Sequence, residues 1–326
     1  MNPARREILQ LLAGAAALPA LAGSARAQAW PARPVRIIVP FQPGGSTDIF
    51  ARLAAQKLTE HFGKQFYVEN IAGATGNVGT AQAARAAPDG YTLLIAFSSF
   101  VVNPTVFAKL AFDPDRDFAP VTLAVASLNV IIVNPSLPAR DLKELVALIK
   151  ANPGKYSYAT GGVGTQSHLL GEMLRLSLGL DIVHVPFNGA APAVASAVAG
   201  HTPIALATVA SAAQALEAKQ LRALAVASKK RSQLLFDVPT TAEAGYPQIE
   251  GDSWVGLLAP AGTPHEIIRD LREEIASILA APDVKERLPS LGFEVVASTP
   301  EDFGRRIKVE TETWGKVVRA ANIKAE

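Results

Sequence analysis

Glycine-rich turns set between an apolar run and an amphipathic pattern are where this sequence could do chemistry. The stretch "VPFQPGGSTDIFARLA", residues 39–54, ends a strand-like run at Pro40, turns through residues 42–45 and opens a helix near Ser46. Gly44 and Gly45 leave the backbone open to an approaching ligand, and the N–H groups of a helix's first turn attract an anion. "ATGGVGTQSHLLGEML" repeats the order with Gly161, Gly162 and Gly164, followed by Thr165, Gln166 and Ser167 as hydroxyl or amide partners. "ENIAGATGNVGTAQAA" and "VPFNGAAPAV" are a third and a fourth such turn. Any one alone is an ordinary tight turn. If the first two belong to different lobes, two anion-seeking helix starts face one cleft, which suits a carboxylate-bearing small molecule.

Asp48 lies in the first turn of the first helix, and a bound carboxylate there would be repelled by it. Two readings stay open: the side chain turns away to hold the loop, or it pairs with a ligand ammonium or hydroxyl. Catalytic patterns are missing. His61, His168, His184, His201 and His265 form no HExxH, and "HEIIR" ends in arginine. "GDSWVG" misses the nucleophile-elbow spacing by one residue, so Ser253 reads as a loop serine. There is no GxxxxGK[ST], and "GGVGTQS" lacks the third glycine of a dinucleotide fingerprint. No catalytic residue, metal or cofactor is expected. His168 and His184 flank glycine turns; a structural role is the stronger reading for His184, and for His168 the two roles weigh equally.

The elements that must hold these turns alternate. "VRIIVP", "QFYVEN", "YTLLIAF", "NVIIVNP", "YSYAT", "DIVHVPF", "IALAT", "LRALAVAS" and "WVGLLAP" read as strands separated by helical patterns, which argues for α/β layers with parallel sheet. "GTPHEIIRDLREEIASILAAP" places Thr263 as N-cap and Pro264 at the first helical position, with Ile267, Leu271, Ile275 and Ile278 on one stripe. "STPEDFGRRIKVETETWGKVV" repeats that start with Thr299 and Pro300, and "DLKELVALIKANPG" turns Leu142, Leu145, Val146 and Ile149 to one face. Nine strands exceed one compact sheet of this class, so two lobes are expected, crossing at "TLAVASLNVIIVNP" and returning at "GDSWVGLLAPAGTP".

The 326 residues are 49% hydrophobic, which excludes a disordered chain. Residues 1–27 carry Arg5 and Arg6, an apolar stretch from Ile8 to Leu21 and "ARA" before Gln28, the pattern of a secretory signal peptide cleaved near Ala27; the arginine pair also permits twin-arginine export. Its removal takes three arginines and one glutamate from a chain of net charge +2 and leaves no net charge, hence no electrostatic footprint for nucleic acid. No later run is long and apolar enough to span a bilayer. With no cysteine, neither disulfides nor thiolate metal sites are available. A mature chain in the periplasm follows.

Taken in order, "VPFQPGGSTDIFAR", "ENIAGATGNVGT", "YATGGVGTQSHLLGEML", "VHVPFNGAAPAV", "LRALAVAS" with "DVPTTAEAGYP", and "WVGLLAPAGTP" resemble the periplasmic solute-binding proteins of the tripartite tricarboxylate transporter group, also called Bug receptors, over nearly the whole mature chain. The resemblance implies a two-lobed type II periplasmic-binding (Venus-flytrap) fold with a mixed, mostly parallel sheet in each lobe. Lobe 1 would comprise residues 28–125 and 254–326, and lobe 2 residues 126–253. It also implies a monomer without cofactor or reaction, which closes its lobes on a small organic acid and delivers it to membrane permease subunits. Family ligands include tricarboxylates, dicarboxylates, aromatic carboxylates and acidic amino acids.

Carried over by motif, Phe41, Pro43, Gly44, Gly45 and Asp48 form the first half of the pocket, with Ser98 and Ser99 in a contacting loop. Thr160, Gly161, Gly164, Thr165 and His168 form the opposing half, beside Phe187 and Asn188. Two positions depart from the family pattern: Asn188 stands where many relatives have lysine or arginine, and Ala207 where they usually have aspartate. Both losses make the cleft less polar and point to a mono- or dicarboxylate with an apolar or aromatic body. The alternatives are a receptor feeding a membrane sensor kinase, or a secreted enzyme acting on carboxylic acids.

Overall fold

The computed structural model describes residues 30–320 and 322–325; the signal peptide expected over residues 1–27 lies outside them. The chain from Arg33 onward is organised around one long strand. Strand β1 (Val35–Val39) pairs in parallel with β2 (Phe66–Asn70) and β3 (Thr92–Phe97). β3 then runs antiparallel to β9 (Asp252–Pro260), and β9 antiparallel to β4 (Phe118–Val133). β4 is 16 residues long, about three times an ordinary strand. Its first part, as far as Leu128, pairs with β9, and Asn129 onward pairs with β7 (Ile204–Thr208) and β8 (Arg222–Val226). β5 (Ser157–Thr160) joins β7 and β6 (Val183–Pro186) in parallel, which completes the second lobe. Each lobe thus has a mixed sheet, and the two sheets share β4.

Two crossings meet where β4 changes partner. The Asn129 carboxamide donates to the Gly251 carbonyl at 2.9 Å and to Ser253 Oγ at 3.1 Å. The Ala227 N–H donates to the Asn129 carbonyl at 2.8 Å, and the Gly251 N–H to the Ala227 carbonyl at 3.1 Å. The outgoing and returning segments are therefore stitched to each other at one level.

The helices follow the strands as the alternation requires: α1 (Ser46–Phe62), α2 (Asn77–Ala84), α3 (Ser99–Val106), α4 (Leu142–Lys150), α5 (Gln166–Leu178), α6 (Ala190–Val198) and α7 (Val209–Glu217), then α8 (His265–Ala280), α9 (Pro282–Ser290) and α10 (Pro300–Ala320). The apolar stripe of α4 buries Leu142, Leu145, Val146 and Ile149, and that of α8 buries Ile267, Leu271, Ile275 and Ile278. α10 returns to the first lobe, where Phe303 and Ile307 join a core with Leu94, Phe100, Leu123 and Trp254. The second lobe has a core on each sheet face. Leu142, Leu145, Leu170 and Leu174 fill one, and the small side chains of Ala193, Ala197 and Ala212 let α6 and α7 approach the other. Among the described residues, no helix is long and apolar enough to cross a membrane.

The structure differs from the sequence reading in three local respects. β4 begins at Phe118 and not at Asn129, because register shifts between Pro120 and Thr122 and between Leu123 and Val125 interrupt the alternation that marks a strand. The two-residue β10 (Glu294–Val295), antiparallel to β4, is too short to leave a pattern. Thr263 does not cap α8: its hydroxyl donates to the Pro260 carbonyl at 2.7 Å, and Pro264 takes the cap position, its carbonyl accepting from the Ile267 and Ile268 N–H groups. Thr299 does cap α10, accepting from the Asp302 N–H at 3.1 Å.

Close packing in the first lobe is tested at Gly256 on β9. A Cβ there would lie 2.4 Å from Phe303 Cζ and 3.1 Å from the Thr122 carbonyl oxygen, and Phe303 is fully buried edge-on against Trp254. Gly256→Ala should cost about 1–3 kcal/mol through overpacking, read as a lowered urea midpoint. An unchanged midpoint would mean that the Phe303 ring moves freely.

Candidate ligand-binding cleft

Four helices start at the carboxyl ends of strands that converge between the lobes: α1 after β1, α5 after β5, α6 after β6 and α7 after β7. In such sheets these ends face the ligand crevice. Their first residues enclose a cavity of about 20 Å³, room for one water. Gly45, Ser46 and Thr47 of α1 face Gly161, Thr165 and Ser167 of the α5 turn, with Gly189 and Ala190 at the start of α6. Phe41 and Phe97 form an aromatic wall, edge to face at 5.7 Å between ring centroids. Asn129 and Thr208, register partners on β4 and β7, complete the lining.

No lining side chain is ionisable. The polarity of the cavity comes from hydroxyls, one carboxamide and helix starts, where the first N–H groups lack partners within their own helix and the dipole is positive. Thr165 and Thr208 cap α5 and α7 with their own hydroxyls, accepting from the His168 and Ser211 N–H groups. Gly45 and Gly189, which precede α1 and α6, have no side chain with which to do so. An anion's oxygen fits these helix starts without a cationic side chain.

The fate of Asp48 answers the question the sequence leaves open. Its Oδ2 accepts from the Gly44 N–H and from Arg52 Nε, each at 3.0 Å, and its Oδ1 accepts from Asn70 Nδ2 at 2.9 Å and lies 2.9 Å from Arg52 Nη2. Asn70 also donates to the Phe41 carbonyl at 3.1 Å. The carboxylate turns away from the cavity and holds the turn, with Gly44 at φ +87° supplying the left-handed bend. Burial alone would raise its pKa, but the bonds from Arg52, Gly44 and Asn70 and the arginine charge outweigh burial and hold it below the usual carboxylate value.

The other motif residues divide. Phe41, Gly45, Gly161 and Thr165 line the cavity. Gly44 lies at the rim, where a Cβ would meet Ala191 at 3.3 Å, and at Gly164 a Cβ would meet Val106 and Asn103 of the opposite lobe at 3.3 and 3.4 Å. Pro43 and the side chain of Asn188 are exposed, while the Asn188 carbonyl accepts from the Gln42 N–H across the cleft at 3.3 Å. The Phe187 carbonyl oxygen backs Gly162. Ser98 and Ser99 are buried where α3 starts, and Ser98 Oγ has no hydrogen-bond partner.

Thr160 and His168 stand behind the glycine turn and not on the cavity. His168 Nδ1 accepts from the Gly164 N–H at 3.1 Å, and its ring stacks on His184 at 4.0 Å. His184 Nε2 lies 2.6 Å from Thr160 Oγ1. Beyond them the Tyr158 hydroxyl donates to Glu172 at 2.7 Å, and Glu172 is forked by Arg175. Burial is the main cause that pushes His168 down to about 4, and burial followed by the His168 charge pushes His184 to about 3.

Sequence reasoning missed Ser46, Thr47, Phe97, Asn129, Gly189, Ala190 and Thr208 as lining residues. Asn129 had left a trace, as a single amide inside the apolar run "SLNVIIV", and Thr208 ends a strand before a helix without the glycines that marked the other turns.

Both histidines are neutral in the fold and protonate below about pH 6.5 in the unfolded chain, which therefore binds more protons as pH falls. Their contribution is fully present above pH 6.5 and is lost from there toward about pH 4, on the order of 3 kcal/mol for His168 alone. Urea unfolding across that range should show the loss before the buried carboxylates titrate, and His184→Phe should reduce it to the share of His168. A flat wild-type profile between pH 6.5 and 4.5 would contradict the neutral pair.

Comparison with known proteins agrees with this architecture. The family described as "Tripartite tricarboxylate transporter family receptor" matches residues 50–323. A UPF0065 protein from the tcbD-tcbE intergenic region of a Pseudomonas species is 39% identical over 321 residues, covering 97% of this chain and 94% of the relative. An R. palustris protein solved with adipate superimposes with a TM-score of 0.88 at 34% identity, covering 90% of this chain and 99% of that one. MatC from Rhodopseudomonas palustris, solved with bound malate, gives a TM-score of 0.84 at 32% identity over 89% of this chain and all of its own. Matched along most of its length in sequence and fold, the chain belongs to the tripartite tricarboxylate transporter receptor family, whose members are solute-binding receptors and not enzymes.

Proposed function

We propose that this receptor works outside the cytoplasm, captures a small mono- or dicarboxylate with an apolar or aromatic body between its lobes, and delivers it to the membrane subunits of a tripartite transporter. The observation that carries this reading is the cavity itself: four helix starts and a pair of phenylalanines, with no charged side chain on the wall. Helix N–H groups serve the carboxylate, and Phe41 and Phe97 serve the body. An ammonium group finds no carboxylate there, because Asp48 has its oxygens engaged by Gly44, Arg52 and Asn70. Acidic amino acids are accordingly disfavoured. The adipate and malate held by the two R. palustris neighbours are carboxylates without an amine.

The working lobes are residues 28–125 with 254–326, and residues 126–253. The partner exchange of β4 between Leu128 and Asn129 supports a hinge at that level. Closure then brings the α1 start onto the starts of α5, α6 and α7, and the closed form is what a transporter would recognise.

Thermal unfolding of residues 28–326 with adipate, malate, benzoate and glutamate tests the reading. A ligand at about 100 times its dissociation constant stabilises by roughly 2.7 kcal/mol. Adipate or benzoate should raise the transition and glutamate should not; a response to glutamate alone would overturn the proposed selectivity. Asp48→Asn should lower stability by about 1–3 kcal/mol, since it leaves Arg52 without its anion, while the ligand preference stays the same. A switch in preference would place Asp48 on the ligand.

A further inference from the structure

The closed cleft satisfies part of its own anion site. The N–H of Ser46, at the first position of α1, donates across the cleft to Ser211 Oγ at 3.1 Å. Ser211 lies on the first turn of α7 and is fixed there: its N–H donates to Thr208 Oγ1 at 3.2 Å, and the two hydroxyls are 2.7 Å apart. Four residues earlier on the same turn, the Gln42 N–H donates to the Asn188 carbonyl of the opposite lobe at 3.3 Å. Two N–H groups of the turn that opens α1 are thus met by oxygens of the other lobe. The cavity they close has room for one water, too little for any carboxylate considered above.

We infer that Ser211 is an internal competitor for the carboxylate position at the start of α1, and so sets the affinity of the cleft. The inference rests on the carboxylate reading of that cleft. A ligand oxygen that reaches the Ser46 N–H must displace Ser211 Oγ. An ionised carboxylate makes a charge-assisted bond roughly twice as strong as a neutral one and wins the exchange. A neutral oxygen of an amide or ester gains nothing over the serine it replaces. Ser211 therefore makes occupancy of the cleft depend on charge although no charged side chain lines it. The same bond draws closed molecules out of the pool that can admit ligand, and the apparent dissociation constant rises by the reciprocal of the competent fraction that remains.

The experiment compares wild type, Ser211→Ala and Ser211→Thr, with adipate as the probe, by isothermal titration calorimetry and by small-angle scattering with and without adipate. Ser211→Ala should tighten adipate binding about two- to tenfold, the equivalent of one neutral hydrogen bond. Its radius of gyration without adipate should exceed that of wild type, and with adipate the two should coincide. Ser211→Thr keeps the hydroxyl and should restore both wild-type values. Weaker adipate binding by Ser211→Ala would make Ser211 an ordinary ligand contact and overturn the inference, as would unchanged affinity with unchanged scattering. If adipate binds none of the three proteins and benzoate does not either, the carboxylate reading fails by itself. The adipate-free scattering still decides the contact, because an unchanged radius in Ser211→Ala overturns it.

Discussion

The first N–H groups of a helix have no partner in their own helix, and this molecule brings four such starts to one place. That constraint orders the rest of the cleft. Where a threonine precedes the helix, as at Thr165 and Thr208, the hydroxyl turns back and caps it. Where glycine precedes it, as at Gly45 and Gly189, the groups are left to whatever oxygen comes across the gap. A carboxylate side chain facing the cavity would compete for the same donors, and Asp48 is instead bound to Arg52, Asn70 and the Gly44 N–H on the outer side of the turn.

The shared strand gives the lobes a common frame. Because β4 serves both sheets, its residues must suit two cores in succession, and its near-continuous burial reflects that demand. The change of partner falls at Asn129, the one lining residue that also ties the outgoing strand to the returning one through Gly251 and Ser253. The carboxamide that lines the cavity thus belongs to the residue at which β4 passes from one sheet to the other.

Most of the architecture was legible because it rests on local grammar. The strands from "VRIIVP" to "WVGLLAP" and the stripes of α4 and α8 lie where apolar periodicity puts them. Glycines between strand and helix marked the turns, the resemblance carried over their pocket residues, and of these Phe41, Gly45, Gly161 and Thr165 line the cavity. What stayed hidden depends on contacts between distant segments. Nothing near Asp48 in sequence announces Asn70, which sits at the end of the neighbouring strand. His168 looks like a cleft residue beside its glycines, yet it stacks on His184, which comes from β6, and stands behind the turn. Thr208 and Phe97 reach the cavity only because their strands end there.

The absence of ionisable side chains from the cavity wall has a thermodynamic corollary. A site that binds an anion through a histidine or lysine takes up or releases protons as it fills, so its affinity records the titration of the protein. Here three titratable groups beside the turns of the cavity each keep one protonation state near neutrality: His168 and His184 neutral, Asp48 ionised. An anion binding at that wall would then draw no proton exchange from these three groups near neutrality.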